Sequence, residues 1–394
     1  MAEALVRTRT LSTILRAIRD SAPISRSALA QQADFTHAAI SRAVSTLLEE
    51  GMVVERRLAD TTGPRRKHGL EMNGEYGYAL GVEYAPTGLR GVILDLACRR
   101  RGAVEAAVDL GAQPRDGRIA LITDFAARLM ETARATPGRC LGIGLVDPGI
   151  VDRERGVAVS SSLLDDWSEV PIASAVAERC GVPVRLVGSG IARVKAVDRL
   201  ELARPVRDLL YVEYGDGIAC GLKLDGHYVG GSRNSAGELG HLKVATREPK
   251  PCRCGGLGCL EAHAALPAIV RRCREALAAN SRSVLTGSEV MDGALVLKAA
   301  SQHDLLARFV VEEAFEMVGT AVAGVVSITN PAVLVLDGTF AAAGTEIRDH
   351  LLRVIRRCTL PDHWAALEIQ FSESDAYIGC AGGAVDLVDS LLEY

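Results

Sequence analysis

The sequence is poor in aromatic residues and carries no strong net charge of either sign. Aromatic side chains make up only 4% of its 394 residues, although 48% of the chain is hydrophobic, so its cores must consist mainly of Ala, Val, Leu and Ile. Lys and Arg number 45 against 49 Asp and Glu, which gives a net charge of −4. This balance argues against a chain devoted wholly to nucleic acid, although it leaves room for one basic module. The length predicts two or three domains.

The chain also lacks a signal peptide, a disulfide pattern and an unbroken apolar span. Its first residues, MAEALVRTRT, contain no apolar core of a secretion signal. The most apolar stretch, 317–336, is interrupted by Asn330 and Pro331, which predicts a helix followed by a buried strand. Seven of the ten cysteines are scattered singly, as thiols are in a reducing compartment. We therefore expect a cytoplasmic protein without membrane contact.

Residues 1–75 carry the pattern of a winged helix-turn-helix. Apolar residues at one-face spacing predict a first helix around 11–18, and a short second helix follows around 26–32. A third helix begins after Thr36 as N-cap and ends at Gly51, and its polar face of small side chains suits a DNA major groove. Two short strands then flank a turn with a basic tip, which predicts a wing. The predicted DNA-contacting residues are Arg26, Thr36, His37, Ser41, Arg42, Arg65, Arg66 and Lys67.

The same N-terminal pattern is also compatible with a small helical module that binds other proteins and has a solvated charge run. The basic wing and the small-residue helix face agree with each other, and this agreement favours DNA binding. Because helix-turn-helix proteins read two half-sites, we expect a symmetric homodimer, or a homotetramer, on a pseudo-palindromic operator.

After residue 75, strand-like and helix-like segments alternate, which predicts an α/β architecture. Within this part, His241, Cys252, Cys254 and Cys259 form an H-x10-C-x-C-x4-C set. Four such ligands fit tetrahedral Zn²⁺ and leave no open position for water, so we predict a structural zinc site. A reactive thiol or a redox pair would leave the His and the intervening glycines without a role.

The chain resembles the ROK family (repressors, open reading frames and sugar kinases) over nearly its whole length, the winged N-terminal module included. The segments GELGH and CRCGGLGCLE, at 237–241 and 252–261, match the family signature almost letter for letter. The resemblance implies a two-lobed, actin-like (hexokinase/RNase H-like) fold. The domains expected from it are a DNA-binding domain at 1–75, a first lobe at 76–195 completed by the C-terminal helix at 376–394, and a second lobe at 196–375 with the zinc loop.

The resemblance also implies a sugar site beside the metal. In the family, the residues that match Glu238, His241 and Glu261 reach the sugar hydroxyls. The metal would then position ligand-binding side chains rather than catalyse. Alternatively, the two glutamates only cap or solvate the zinc loop, which leaves both carboxylates without a specific role.

Kinase activity is not expected, because the resemblance aligns the family's catalytic Asp with Gly190, which cannot accept a proton. The nearest downstream carboxylate, Asp198, is expected at the surface. The first phosphate loop, 83–87, lacks both family glycines and contains Pro86, which has no backbone N–H to offer. In the second loop, Asp216 would repel phosphate.

Some expected sugar contacts are missing as well. The family has Asn, Asn and Asp at the positions that this sequence fills with Leu163, Ser189 and Gly190. Asp165 and Asp166 either replace the lost contacts or face solvent in a turn. Either an unusual carbohydrate binds or none does.

These observations predict a DNA-binding transcriptional regulator, a repressor of carbohydrate-related genes, with a sugar or sugar derivative as effector. Two alternatives remain open: a sugar kinase with an appended DNA-binding module, and a DNA-binding regulator that responds to no ligand.

Overall fold

The structure, a computed structural model, describes residues 8–32, 35–57, 68–245, 247–372 and 374–393. The chain divides into two compact units, one formed by Met1–Pro205 with Ala376–Tyr394 and the other by Val206–Asp375. None of the helices in the described ranges combines the length and the apolarity that a bilayer-crossing segment needs.

Three helices and a two-stranded antiparallel sheet form the N-terminal module. Its elements are α1 (Arg9–Ser21), α2 (Arg26–Gln32), α3 (His37–Glu49), β1 (Val53–Arg57) and β2 (His68–Met72). Thr8 accepts a hydrogen bond from the Leu11 amide at 3.2 Å, and Thr36 accepts one from the Ala39 amide at 3.3 Å, so each threonine caps the helix that follows it. The three helices and two strands predicted from the sequence are therefore present.

A five-stranded mixed sheet forms the centre of the first unit. The elements that follow the module are β3 (Gly77–Ala85), β4 (Gly88–Asp95), β5 (Arg100–Ala107), α4 (Arg115–Ala133), β6 (Arg139–Asp147), β7 (Ile150–Asp152), β8 (Val157–Ser160), α5 (Ile172–Cys180), β9 (Val184–Gly188) and α6 (Ser189–Leu200). The strand order is β5-β4-β3-β6-β9. Strands β3, β4 and β5 pair antiparallel, whereas β6 and β9 continue the sheet in parallel with β3.

The second unit repeats this arrangement. Its elements are β10 (Leu209–Tyr214), β11 (Ile218–Leu224), β12 (His227–Tyr228), α7 (Leu260–Ala264), α8 (Leu266–Ala278), α9 (Gly293–Ser301), α10 (Leu305–Thr329), β13 (Val333–Gly338), α11 (Thr345–Cys358), α12 (Pro361–Ala366) and β14 (Glu368–Phe371). The order β12-β11-β10-β13-β14 again joins an antiparallel meander to two parallel strands. The repeated order agrees with the implied actin-like fold, and α10 with β13 confirms the predicted helix and buried strand.

The C-terminal helix α13 (Ile378–Leu392) returns to the first unit and packs on its sheet. A Cβ atom at Gly81 of β3 or at Gly144 of β6 would overlap backbone carbonyls of α13, so these glycines allow an unusually close approach. Helix α13 also shares one hydrophobic core with the N-terminal module, and this core includes Ile14, Val44 and Leu391. The module is therefore packed into the first unit rather than joined to it by a linker.

Candidate functional site

One His and three Cys converge on a loop of the second unit. The ligand atoms of His241, Cys252, Cys254 and Cys259 all lie within 4.8 Å of one another. The distance from His241 Nδ1 to Cys252 Sγ is 3.6 Å, and that between the Sγ atoms of Cys254 and Cys259 is 3.7 Å. Zinc–sulfur bonds of about 2.3 Å at tetrahedral angles separate two sulfurs by about 3.8 Å. The cluster can therefore hold a metal ion with four protein ligands.

The backbone around the cluster fixes these positions. Isolated bridges join Lys243 to Cys259 and Pro251 to Leu257, so the loop closes on itself. A Cβ atom on Gly256 would lie 2.5 Å from Lys243 Nζ, so a side chain at this position would displace the lysine from the cluster. Lys243 Nζ lies 2.8 Å from Cys259 Sγ. Its positive charge suits a site where three thiolates carry more negative charge than one Zn²⁺ neutralises.

Glu238, the first of the two glutamates that bracket the loop, lies beside His241. Glu238 is half exposed, and its carboxylate is 3.7 Å from His241 Nε2, the ring nitrogen that does not face Cys252. Burial raises the pKa of Glu238, the imidazole of His241 lowers it, and the carboxylate of Glu261 raises it further. One imidazole nitrogen thus faces the metal ligands while the other faces a carboxylate, as in many metal-bound histidines.

Glu261 lies in the first turn of α7 with a side chain that is 13% exposed. A Cβ on Gly217 or on Gly240 would approach its carboxylate to 3.0 or 3.3 Å, so this carboxylate lies against two glycine backbones. Arg253 Nη2 is 3.4 Å from Glu261 and donates a hydrogen bond to the Asp216 carbonyl at 3.2 Å. The structure therefore brings together Glu238, His241 and Glu261, the three predicted sugar-contacting residues.

The position expected for a catalytic base contains no carboxylate. Gly190 is the second residue of α6, directly after β9. The expectation that Asp198 lies at the surface is wrong: it is 5% exposed, because its face of α6 packs inward, about two helical turns beyond Gly190.

The first phosphate-loop segment is occupied by internal contacts. Glu83, near the end of β3, is buried, and its carboxylate is 2.7 Å from Arg193 Nη2 of α6. The next residue, Tyr84, is buried and donates a hydrogen bond to Asp147, a carboxylate that also accepts from Trp167 Nε1 at 3.1 Å. Burial raises the pKa of Asp147, while these hydrogen bonds lower it. Glu83 and Tyr84 are thus committed to packing within the first unit.

The loop before Trp167 contains the position where the family has a polar sugar contact. Leu163 is partly buried there, whereas Asp165 and Asp166 are both exposed. Asp166 has a φ of 55°, which is typical of a turn residue. The two aspartates therefore face solvent.

The exposed face of α3 contains His37, Ser41 and Arg42, as the helical pattern predicts. Thr36 uses its hydroxyl as the N-cap, and Arg26 pairs with Glu55 of β1 at 2.7 Å, so its guanidinium is partly engaged within the module. The predicted wing residues Arg65, Arg66 and Lys67 lie outside the described residues.

Sequence reasoning missed Lys243 and Arg253, which hold Cys259 and Glu261 respectively. Each is a single basic residue within or beside the segment that contains the His and Cys cluster, and this proximity in sequence was the only indication of a role. The partner of each depends on how the loop folds back, which sequence spacing does not reveal.

The chain combines a DNA-binding module with two α/β units that share the same strand order, and the second unit contains a loop that can hold a metal. This combination is the actin-like architecture of a transcriptional regulator. The model of the ROK family matches residues 82–388, and the chain belongs to this family. The xylose repressor of Caldicellulosiruptor bescii is 25% identical over 387 residues, which cover 97% of this chain and 96% of that protein. The glucokinase of Thermotoga maritima is 29% identical over 273 residues, 68% of this chain and 85% of that protein.

Among solved structures, a ROK family transcriptional regulator described as a homologue of the E. coli MLC protein has a TM-score of 0.82. The alignment covers 97% of this chain and 96% of that one at 22% identity. This likeness supports the whole fold, the N-terminal module included.

Proposed function

We propose that the chain is a DNA-binding transcriptional repressor of carbohydrate-related genes that responds to a sugar or sugar derivative. The observation that carries this proposal is the exposed polar face of α3 on a module that shares a hydrophobic core with an actin-like unit. The likeness to the xylose repressor supports it, because it extends over 97% of the chain. If the protein has two states that differ in affinity for DNA, an effector that binds one state more tightly would change the affinity of the protein for DNA.

The effector would bind beside the metal loop, where Glu238, His241 and Glu261 offer two carboxylates and one imidazole to hydroxyl groups. We infer that the metal is structural Zn²⁺, since four protein ligands leave no coordination position for a substrate. The ion would hold His241 and the start of α7 in place. His241 Nε2 and the glutamates would then orient the sugar.

We also infer that phosphoryl transfer has been lost. Gly190 supplies no base, and Pro86 supplies no amide to a phosphate oxygen. The Glu83 carboxylate already has a cationic partner in Arg193 at 2.7 Å, so it is poorly placed to serve a nucleotide-bound cation. The chain would act as a homodimer or homotetramer on a pseudo-palindromic operator, in the cytoplasm with its DNA.

The test is capture of genomic fragments on the purified full chain, followed by release with a sugar panel at fixed salt. D-Xylose, D-glucose and N-acetyl-D-glucosamine form the panel, with an ATP-dependent phosphorylation assay on the same sugars. We expect enrichment of one palindromic site, its release by one sugar, and no sugar phosphate.

Enrichment that no sugar alters would favour a regulator without a ligand. Robust phosphorylation without DNA enrichment would favour the kinase alternative and overturn the proposal.

A further inference from the structure

Helix α6 begins at the edge of the first sheet where its parallel strands have their carboxyl ends. It starts at Ser189, directly after the carboxyl end of β9, and Arg193 in its second turn pairs with Glu83 near the carboxyl end of β3 at 2.7 Å. Ligands of open α/β sheets bind beyond the carboxyl ends of the parallel strands. A ligand bound at this edge is therefore adjacent to the start of α6.

The second half of α6 is joined to the C-terminal helix by buried charges. Lys195 Nζ lies 2.8 Å from Asp386 and 3.0 Å from Asp389, and all three side chains are less than one-tenth exposed. Asp386 also contacts Arg153 at 2.6 Å and Arg185 at 2.8 Å. Helix α13 is thereby tied both to α6 and to the sheet.

The same charges reach α1 of the DNA-binding module. Arg199, in the last turn of α6, lies 2.6 Å from Asp20 of α1, and Arg19 of α1 contacts Asp389 of α13. The hydroxyl of Ser12 donates a hydrogen bond at 2.6 Å to a carbonyl near the end of α13. Helix α1 is thus held at its C-terminal end by α6 and α13, and along its length by α13.

We call these side chains the α1–α6–α13 network, which consists of Arg19, Asp20, Lys195, Arg199, Asp386 and Asp389. Loss of one partner in such a cluster leaves a buried charge without compensation, so separating any one of these pairs is costly. A displacement at the start of α6 must therefore either be absorbed within one 12-residue helix or be passed to α1.

We propose that the α1–α6–α13 network transmits movement of α6 to α1, so that Arg199 is a positioning residue for the DNA-binding module. This inference rests on the proposed function, since it concerns how operator binding at the N-terminal module is communicated to the rest of the first unit. Coupling between sites is reciprocal. DNA binding must therefore change the start of α6, and this consequence is testable before the sugar is identified.

The experiment is hydrogen exchange of the full chain with and without the captured operator fragment, read on amides of residues 191–196. In the wild type, we expect DNA to change exchange at these amides. In Arg199→Gln bound to the same fragment, that change should fall by about fivefold or more, whereas Arg199→Lys, which keeps the charge, should retain most of it.

Arg155→Gln is the matched control, because Arg155 pairs with Glu169 at 2.7 Å on the exposed surface of the same unit. Its exchange response should equal that of the wild type. Asp20→Asn removes the contact to Arg199 from the other side and serves as the second test should Arg199→Gln fold poorly.

If operator binding leaves hydrogen exchange at the amides of residues 191–196 unchanged in the wild type, the coupling is overturned while the proposed function stands. An unreduced response in Arg199→Gln would overturn the coupling as well. Absence of any DNA binding by the wild type would instead overturn the proposed function, and the coupling with it.

Discussion

At the scale of single residues, the two nitrogens of His241 have different surroundings. Nδ1 is 3.6 Å from Cys252, and Nε2 is 3.7 Å from Glu238. A metal on Nδ1 would fix the plane of the ring and hence the direction of Nε2. This explains how a structural ion can matter for ligand recognition without contacting the ligand.

Cys254→Ser should release the metal and loosen the loop that holds Glu238 and Glu261, because a hydroxyl is a poor substitute for a thiolate ligand. We expect bound zinc to fall from about one ion per chain to a small fraction of that. Elemental analysis and thermal unfolding measure the two effects.

Cys358→Ser is the matched control for the metal, since Cys358 is exposed in the same unit and outside the cluster. Equal zinc in Cys254→Ser and the wild type would refute the ligand assignment.

At the scale of elements, periodicity and caps predicted the helices of the module, but not what the helices contact. The spacing of Ile14, Leu15 and Ile18 predicted α1, and these side chains are fully buried. Asp198 shows the limit of this reasoning, because a charged residue near the end of a helix is usually exposed, whereas here α6 is buried on several sides. The Arg199–Asp20 pair joins residues 179 positions apart, and no local pattern encodes such a contact.

Arg42→Ala tests the exposed face of α3. An arginine in a major groove contacts base edges or phosphates, so its loss should weaken operator binding by about 1–3 kcal/mol. Arg16→Ala is the control, because Arg16 is an exposed arginine on α1, a helix for which no DNA contact is predicted. Fluorescence anisotropy with the captured operator at fixed salt measures both variants.

Identical affinities for Arg42→Ala and the wild type would show that another surface of the module meets DNA.

At the scale of the whole molecule, residue spacing predicted the His and Cys cluster, and the family resemblance predicted the flanking glutamates, because they lie within 25 residues of sequence and fold as one loop. The resemblance also implied that the C-terminal helix completes the first unit, but it did not reveal the buried charges of that unit, because these belong to segments that are distant in sequence. One core unites the DNA-binding module with α13, so the stability of the module depends on the unit as a whole.

Asp386→Asn should therefore destabilise the first unit, the module included. Burial opposes ionisation of Asp386, but Lys195, Arg153 and Arg185 outweigh it and hold the pKa of this carboxyl well below its ordinary value of 3.8. Its stabilising contribution is thus fully present above that value and is lost as the pH falls toward the folded-state pKa. Removal of the charge leaves three cations with less compensation, which costs about 3–5 kcal/mol at neutral pH.

Urea unfolding of the wild type and of Asp386→Asn, from about pH 6 to about pH 3, measures this contribution. The free energy of unfolding should decline with acid more steeply in the wild type, so the gap between the two curves should narrow toward about pH 3. Glu169→Gln, which removes an exposed ion pair of the same unit, should leave the wild-type curve nearly unchanged. Parallel curves for Asp386→Asn and the wild type would mean that the pKa of Asp386 is the same in the folded and unfolded states, because only a group whose pKa changes on unfolding adds to the slope.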